Sequence, residues 1–222
     1  TGVAIFPKSI NEKFAYYWFI DTDFKKYVRG GALPTLDIKS LKDKPFPSID
    51  KSTQLAIVSE LDKINELIRL KKEQLKDFDN LAQSLFYEMF GDPVENEKGW
   101  EVKTLGDVCT DITDGDHMPP PKSEYGIPFI TISDIDKESR SLNFENTYYV
   151  PIVYYNKLKE NRKARIGDLL YTVTGSYGIP VIVKTDKQFC FQRHIALLRP
   201  NIEILSTIFL YYWMLNDGVK FM

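Results

Sequence analysis

The most regular pattern in the sequence is a stripe of apolar residues between positions 57 and 89, spaced by alternating steps of four and three. This heptad spacing keeps apolar side chains on one side of an α-helix and is typical of a coiled coil. No Gly or Pro occurs between Lys51 and Phe90. We therefore expect one helix of about 40 residues, roughly 60 Å long.

Residues that stop or cap helices lie at both ends of the stripe. Pro45 and Pro47 end whatever precedes the helix, and Ser48 is the predicted N-cap. Gly91 and Pro93 follow the last apolar position and predict the C-terminal end.

The stripe predicts the surface through which the helix contacts a second helix, either from the same chain or from a second copy. A lone helix of this length cannot bury its own apolar face. We interpret Lys71, the polar interruption, as a residue that sets the register and not as a ligand-binding residue. The predicted seam consists of Ile57, Leu61, Ile64, Ile68, Leu75, Phe78 and Leu85. On this pattern alone, a helix used for generic dimerisation is the simpler alternative.

The sequence beyond Trp100 has a different pattern, in which short β-favouring runs alternate with Gly, Pro and Asp. Such punctuation is typical of a mixed sheet with long connecting loops. Combined with the long helix, it predicts an α+β fold: a β-rich domain attached to a coiled-coil helix. The clearest runs begin at Ile127, Asp168, Ile179 and His194.

The two ends of the sequence resemble each other. Residues 209–215 (FLYYWML) match residues 14–20 (FAYYWFI) at an offset of 195 positions, and Lys220 matches Lys25 in the same register. We predict a helix over residues 206–222. Among apolar neighbours on a helix, the Tyr and Trp residues are expected to pack in the core and not to stack on bases. The repeat indicates that the architectural unit is a domain followed by a long helix.

Composition favours a folded protein and gives no sign of a membrane anchor. The chain is 43% hydrophobic and 14% aromatic, which is enough for at least one core. The longest apolar run is eight residues, well short of the roughly 20 that a membrane helix needs. No signal peptide is visible, and Cys109 and Cys190 show neither a metal-ligand spacing nor a disulfide framework. We expect a cytoplasmic protein.

Charge limits how the protein contacts nucleic acid. The net charge is −2, and residues 1–48 carry 8 basic and 5 acidic side chains, residues 49–92 carry 6 and 9, and residues 93–222 carry 15 and 17. A free-standing nucleic-acid binder usually has a basic excess, because neutralising phosphates supplies most of its non-specific affinity. We therefore expect DNA contact through local loops, with a partner supplying much of the phosphate contact.

The Asp-Gly-Asp-His motif at residues 114–117 contains groups used in acid–base or metal chemistry. Catalysis needs further partners, however, and His194 is the only other histidine. No Gly-rich phosphate loop, nucleophile elbow or zinc spacing occurs in the sequence. We therefore expect no catalytic residue and no metal site. The remaining interpretations are a structural Asx turn and a loop that contacts DNA through Gly115, Asp116 and His117.

Three further segments carry polar groups suited to DNA. In residues 174–178, Ser176 and Tyr177 lie between glycines that permit close approach; a turn that serves only the sheet is an equal alternative. Gln192, Arg193 and His194 lie at a strand start, and Gln and Arg side chains can bind adenine and guanine bidentately. Because side chains alternate along a strand, we expect one or two of the three to contact DNA. Arg29, before two glycines, suits a phosphate contact or a solvated loop.

In their order and spacing, these segments resemble the specificity subunits of Type I restriction-modification systems. Residues 99–108 resemble the opening of a target recognition domain, and residues 114–117 followed by Pro119 resemble its first loop. The remaining matches are residues 126–135, 166–170 with 174–178, 191–200, and 36–41 leading to 45–47. One departure is that Pro47-Ser48-Ile49 followed by Gln54 replaces the Pro-Pro-Leu-x-x-Gln that often starts the family's helix.

The resemblance implies a division into the end of one target recognition domain (residues 1–48), a spacer helix (49–92) and a second recognition domain (93–222). It implies a non-catalytic protein that recognises a bipartite site in double-stranded DNA. It also implies partners: methyltransferase subunits, which carry the S-adenosylmethionine that this chain does not bind, and restriction subunits. The alternative from another class is a coiled-coil scaffold or dimerisation protein whose β-rich domain binds protein or sugar.

Overall fold

The computed structural model describes residues 6–30, 35–118, 120–216 and 219. The chain forms two compact units, residues 1–79 and 80–222, and each contains part of the long helix. The predicted three-part division at residues 48 and 92 stays a prediction. The predicted α+β class is confirmed.

The long helix matches the prediction from the heptad pattern. It runs unbroken through Lys71 for 40 residues. The helices of the described residues are α1 (Glu12–Asp21), α2 (Ile38–Lys42), α3 (Lys51–Phe90), α4 (Leu105–Val108), α5 (Ile152–Lys157) and α6 (Thr207–Leu215), with 3-10 turns at Lys25–Tyr27, Ile132–Asp134 and Glu160–Arg162.

The predicted N-cap of α3 was wrong by two positions, whereas its end was predicted correctly. Asp50 immediately precedes the helix, and its carboxylate accepts the backbone N–H of Thr53 at 2.9 Å. Ser48 therefore lies outside the cap, because Asp50 satisfies the free N–H three residues ahead of it. At the other end, Gly91 has φ +78° and its N–H donates to the Tyr87 carbonyl at 2.8 Å, as a glycine after a helix commonly does.

In the first unit, α1 packs on the beginning of α3 around a buried glutamine. The Gln54 side chain accepts the N–H of Asn11 at 2.7 Å and donates to the carbonyls of Ser9 and Ile49. Farther along α3, Asp62 accepts hydrogen bonds from Lys13 and from the Tyr17 hydroxyl, both at 2.6 Å. A short antiparallel ribbon completes this unit: β1 (Val28–Arg29) and β2 (Thr35–Leu36).

The second unit contains a mixed sheet, as predicted, beside an antiparallel one. The strands are β3 (Cys109–Asp114), β4 (Ile127–Ile130), β5 (Ile135–Asp136), β6 (Ser141–Leu142), β7 (Tyr148–Val150), β8 (Leu169–Thr172), β9 (Pro180–Ile182), β10 (Cys190–Phe191) and β11 (Ile195–Pro200). A four-stranded antiparallel sheet has the order β3-β11-β8-β9, and a three-stranded sheet has the order β10-β4-β7 with a parallel β10–β4 pair. A small hairpin, β5-β6, is separate.

The core of this unit lies where strands of the two larger sheets meet. Ile130 of β4, Phe191 of β10, Leu170 of β8 and Leu197 of β11 are all essentially inaccessible and belong to one cluster. A second cluster joins β8 and β11 to α6 through Leu210. These strands bury apolar side chains on both faces, which is why they appear in the sequence as continuous apolar runs.

The helix predicted over residues 206–222 is interrupted: α6 ends at Leu215, and Val219 is helical again. Asn216 has an extended backbone and is buried, and its amide donates to the Tyr87 hydroxyl of α3. This buried hydrogen bond holds Asn216 outside the helix. Residues 217, 218 and 220–222 of the predicted helix, including the matched Lys220, lie outside the described residues.

The repeated aromatic segments pack, as predicted, although not every ring is buried. Phe209 of α6 contacts Phe86 and Phe90 of α3, with ring centroids 5.2 and 4.9 Å apart. Phe14 of α1 is buried in the first unit, but its neighbour Tyr16 is 60% exposed.

Candidate nucleic-acid interface

Two of the predicted DNA-contacting segments lie side by side and are joined by their backbones. The N–H of Asp116 donates to the carbonyl of Phe191 at 3.0 Å, and the N–H of Arg193 donates to the carbonyl of Asp116 at 3.1 Å. Asp116 and Gln192 thus form a short parallel bridge outside the named strands. Residues 192–194 connect β10 to β11 and so pass from one sheet to the other.

Gly115 is the residue that permits this close approach. A β-carbon at position 115 would lie 2.1 Å from the carbonyl oxygen of Phe191 and 2.4 Å from that of Gln192. No side chain fits there, because real β-carbons do not come so close to backbone atoms. Gly115 is itself buried, so its part in the site is to position the two segments.

The third predicted segment, residues 174–178, reaches the same edge. It is the turn between β8 and β9, and the N–H of Val173 donates to the carbonyl of His194 at 2.9 Å. Tyr177 is 51% exposed, and its ring packs edge-on against Tyr171 at 6.0 Å. Burial, followed by the Tyr177 hydroxyl, raises the pKa of Tyr171 to about 12, so Tyr171 stays neutral. The structure therefore joins residues 114–117 to residues 192–194 and places residues 174–178 directly after Val173, which is bonded to His194.

The side chains on this edge differ in how freely they can reach a ligand. His117, Tyr177 and Arg193 are exposed, whereas Ser176, Gln192 and His194 are half-buried. Arg193 donates from Nε to Nε2 of His194 at 3.3 Å. The amide of Gln192 makes no hydrogen bond to any other described residue, so its donor and acceptor remain available. We call this surface, formed by residues 116–117, 176–177 and 192–194, the reading edge.

The Asp116 carboxylate is less available to a ligand than its position in the Asp-Gly-Asp-His motif predicts. Its carboxylate is only 12% exposed and lies 3.6 Å from the guanidinium of Arg162. Burial, followed by a hydrogen bond to Asp116, raises the pKa of Tyr154 well above its usual range. The Asp116 carboxylate is therefore largely satisfied within the protein.

Arg162 is a functional candidate that the motif-based reading missed. It donates to Asp114 at 3.2 Å as well as lying near Asp116, and Asp114 also contacts Nε2 of His117. Asp114 is the last residue of β3, so only residues 115–117 of the motif lie outside the strand. The signal that was available is the basic run at residues 157–165, KLKENRKAR.

Arg29 belongs to the first unit. Its guanidinium pairs with the carboxylate of Asp37 at 2.6 Å and is 74% exposed. The hydroxyl of Ser40 and then the charge of Arg29 hold the pKa of Asp37 below its ordinary value. Arg29 and Asp37 thus form a solvated ion pair. A phosphate contact by Arg29 stays a prediction.

The predicted coiled-coil seam lies on an intact helix and is largely exposed in the single chain. Exposed fractions are 50% for Ile68, 65% for Leu75 and 58% for Phe78. Nearer the start of α3, Ile57, Leu61 and Ile64 line a groove together with Phe14 and Tyr17 of α1. The pairing of this seam with a second helix stays a prediction.

Among the described residues, no group of His, Cys, Asp and Glu side chains has the arrangement of a metal site. No described helix is long and apolar enough to span a membrane.

A comparison with protein families shows which family this chain belongs to. Residues 97–221, more than half of the chain, match the family described as Type I restriction modification DNA specificity domain. The chain belongs to this family. The match covers the sheets of the second unit and therefore includes the whole reading edge.

The individual relatives to which this chain is similar are considerably longer. The MjaIX Type I restriction enzyme specificity subunit of Methanocaldococcus jannaschii is 29% identical over 158 residues, which is 60% of this chain and 36% of that protein. The HsdS subunit of Thermoanaerobacter tengcongensis matches over 91% of this chain and 52% of its own, at 22% identity and a TM-score of 0.45. The S subunit of M. genitalium matches over 93% and 53%, at 17% identity and a TM-score of 0.46. The chain thus spans about a third to a half of these relatives.

Proposed function

We propose that this chain is a DNA-recognition part of a Type I restriction-modification specificity subunit, and that its reading edge contacts base pairs. The observation that carries this is the convergence of residues 116–117, 176–177 and 192–194 on one edge of the family-matched unit. Polar side chains at strand ends, held by a rigid sheet, are well suited to enter a groove.

Within this edge, Gln192 and Arg193 are the proposed base readers. Their side chains are partly or fully accessible, and Gln and Arg can make bidentate contacts with adenine and guanine in the major groove. His117 and Tyr177 are exposed beside them and extend the surface along the DNA. Asp116, being paired internally, is proposed to support the edge and not to contact bases.

The wider assembly is also proposed. In this proposal α3 pairs with a second long helix, from the same polypeptide or from a second copy, as a spacer between two half-sites of a bipartite target. Methyltransferase subunits dock on this frame and bring S-adenosylmethionine, and restriction subunits join them for cleavage. The chain itself is proposed to be non-catalytic, since its polar clusters are committed to internal pairing or to DNA.

The test is a binding measurement across a library of duplexes that varies one base pair at a time. The chain, alone and with its methyltransferase subunits, should select a sequence, and the selected sequence should change in the Gln192→Ala or Arg193→Ala variant. If both variants fold, and both keep the affinity and base preference of the unmodified chain, the reading edge is misassigned. If the chain binds a protein or a glycan and binds no duplex, the scaffold alternative is favoured.

A further inference from the structure

The strongest concentration of positive charge in the described residues lies next to the reading edge. Residues 157–165 contain five basic side chains and one acidic side chain, in a chain whose net charge is −2. The segment covers the end of α5 and the 3-10 turn Glu160–Arg162, and Arg162 connects it to the reading edge through Asp114 and Asp116. The charge total of residues 93–222 does not show this basic run, because acidic residues elsewhere in that range cancel it.

Internal pairing uses only part of this charge. Glu160 is the acidic member, and it pairs with Lys163 at 2.6 Å and with Arg165 at 3.4 Å. Lys157 and Lys159 are exposed, and no carboxylate among the described residues pairs with either. Two ammonium groups therefore face solvent beside a guanidinium that is held in place by two aspartates.

These cations border a hollow of the right chemistry for an anion. Lys157, Lys159, Asn161 and Arg162 line it together with Thr113 and Leu158. The buried side-chain oxygen of Asn161 has no hydrogen-bond partner among the described residues, so the fold does not use that end of the amide. An amide can present a donor or an acceptor there, and a hydroxyl from Thr113 adds another polar group.

We propose that this hollow, lined by Lys157, Lys159, Asn161 and Arg162, binds the backbone phosphates of the duplex whose bases the reading edge contacts. The inference rests on the proposed function and adds a second class of contact to it. Phosphate contacts fix the register of a protein on DNA, whereas base contacts specify the sequence. Arg162 joins the two, because it lines the hollow and its guanidinium holds Asp114 and Asp116 at the reading edge.

The proposal also changes the expected source of phosphate affinity. The overall charge predicts that a partner supplies much of it, but the local charge at residues 157–165 lets this chain supply a share of its own. Each phosphate neutralised releases condensed counterions, so its contribution is measurable as salt dependence.

The test compares the unmodified chain with a Lys157→Gln/Lys159→Gln variant by titration of fluorescent duplexes at several salt concentrations. Both lysines are exposed, so the variant should fold normally. Losing two phosphate contacts lowers the slope of log affinity against log salt by about 1.8. Between about 50 and 200 mM salt, the change in affinity should then be roughly 12-fold smaller than for the unmodified chain. The preferred base sequence should not change.

A matched control separates a local site from net charge. Lys137 and Lys184 are also exposed lysines of the second unit, and Lys137→Gln/Lys184→Gln changes the total charge by the same amount. Its salt slope should stay near that of the unmodified chain. An equal drop in both variants would overturn the phosphate site in favour of a general charge effect.

The remaining outcomes distinguish this inference from the proposed function. If the unmodified chain selects a sequence, but the Lys157→Gln/Lys159→Gln variant keeps the full salt slope, the phosphate site is wrong and base reading stands. If the variant also changes base preference, the hollow belongs to the reading edge and is not a separate backbone contact. If the unmodified chain binds no duplex at any salt concentration, both proposals fail.

Discussion

Asp168 and Arg199 form a buried, two-pronged ion pair between neighbouring strands of the four-stranded sheet. Nε of Arg199 donates to one carboxylate oxygen at 2.9 Å and Nη2 donates to the other at 2.8 Å, and both side chains are largely buried. Arg199 also donates to Asp111 and to the carbonyl of Lys163, and the N–H of Arg165 donates to Asp168. This network ties β3, β11 and the start of β8 to the basic segment.

Removing Arg199 should therefore destabilise the second unit severely. Arg199→Met leaves the Asp168 carboxylate buried without its partner, and we expect a loss of about 3–5 kcal/mol in the free energy of unfolding. Urea denaturation checks this. The double variant Asp168→Leu/Arg199→Met should lose less than the sum of the two single variants, since it leaves no buried charge. A change below about 0.5 kcal/mol in Arg199→Met, the usual range of a surface substitution, would contradict the prediction.

Adding a methyl group at Gly115 should separate the two segments that the structure joins. The new β-carbon would collide with the carbonyls of Phe191 and Gln192, and overpacking of this kind costs about 1–3 kcal/mol. Gly115→Ala should also weaken sequence-specific binding, because residues 192–194 would shift. Gly106→Ala is the matched control, since a β-carbon there meets only Thr104 Oγ1 at 3.6 Å. If both variants had the same free energy of unfolding and the same sequence-specific binding, the close approach at Gly115 would be contradicted.

Truncation of Gln192 or Arg193 to Ala should relax the preference at one base pair. A good bidentate contact contributes about 1–3 kcal/mol of discrimination against the wrong base. Arg29→Ala, if Arg29 contacts a phosphate, should instead weaken all duplexes alike and lower the salt slope by about 0.9. Binding to single-base variants of the site, measured for each protein, distinguishes these patterns. If all three variants lost affinity for every duplex alike, the assignment of Gln192 and Arg193 to base contacts and of Arg29 to a phosphate contact would be wrong.

Charge on the predicted seam of α3 should disrupt pairing without unfolding the chain. Leu75 is 65% exposed, so Leu75→Asp removes little packing within the chain and should block contact with a second helix. Leu70 is 46% exposed but lies off the heptad stripe, which makes Leu70→Asp the control. Analytical ultracentrifugation measures the association, either after the second helix is added or at increasing concentration of the chain. Loss of association in the control but not in Leu75→Asp would place the seam on another face.

Cys190 should resist alkylation while the protein is folded. The side chain is fully buried in β10, and burial, with a smaller effect of Asp116, raises the pKa of its thiol from 9.0 to about 12. The reactive thiolate is therefore scarce at pH 8, and the reagent has no direct access. Maleimide labelling should reach Cys190 only after urea unfolds the second unit. Rapid labelling of the native chain would contradict this burial.

Sequence reasoning succeeded where a single physical cause dominates a long stretch. Helix α3 was predictable because no Gly or Pro interrupts it and one heptad stripe runs along it, and β4, β8, β9 and β11 were predictable as apolar runs. The family resemblance then added the order of the loops. Strands β3 and β10 were not predicted, since the first is polar and the second has only two residues.

The candidate site was predictable in its members but not in its assembly. Gln192 and Ser176 have the right chemistry in isolation, but only the register of β3, β8 and β11 brings their segments together. Arg162 escaped notice because its importance depends on Asp114 and Asp116, which lie almost fifty positions earlier in the chain. The basic run at residues 157–165 indicates positive charge there, but the pairing of Arg162 with these two aspartates has no local sequence signal.

The bonds that join Asp116 to Phe191 and Arg193, and Val173 to His194, are all made by main-chain atoms. Every non-proline residue has such a donor and acceptor, so the side chains at positions 117, 177, 192 and 193 can be exchanged without removing what holds them in place. Gly115 must stay, because a β-carbon there would collide with the carbonyls of Phe191 and Gln192. If this edge contacts base pairs as proposed, a change of target sequence needs substitutions at only a few positions, and the main-chain framework stays unchanged.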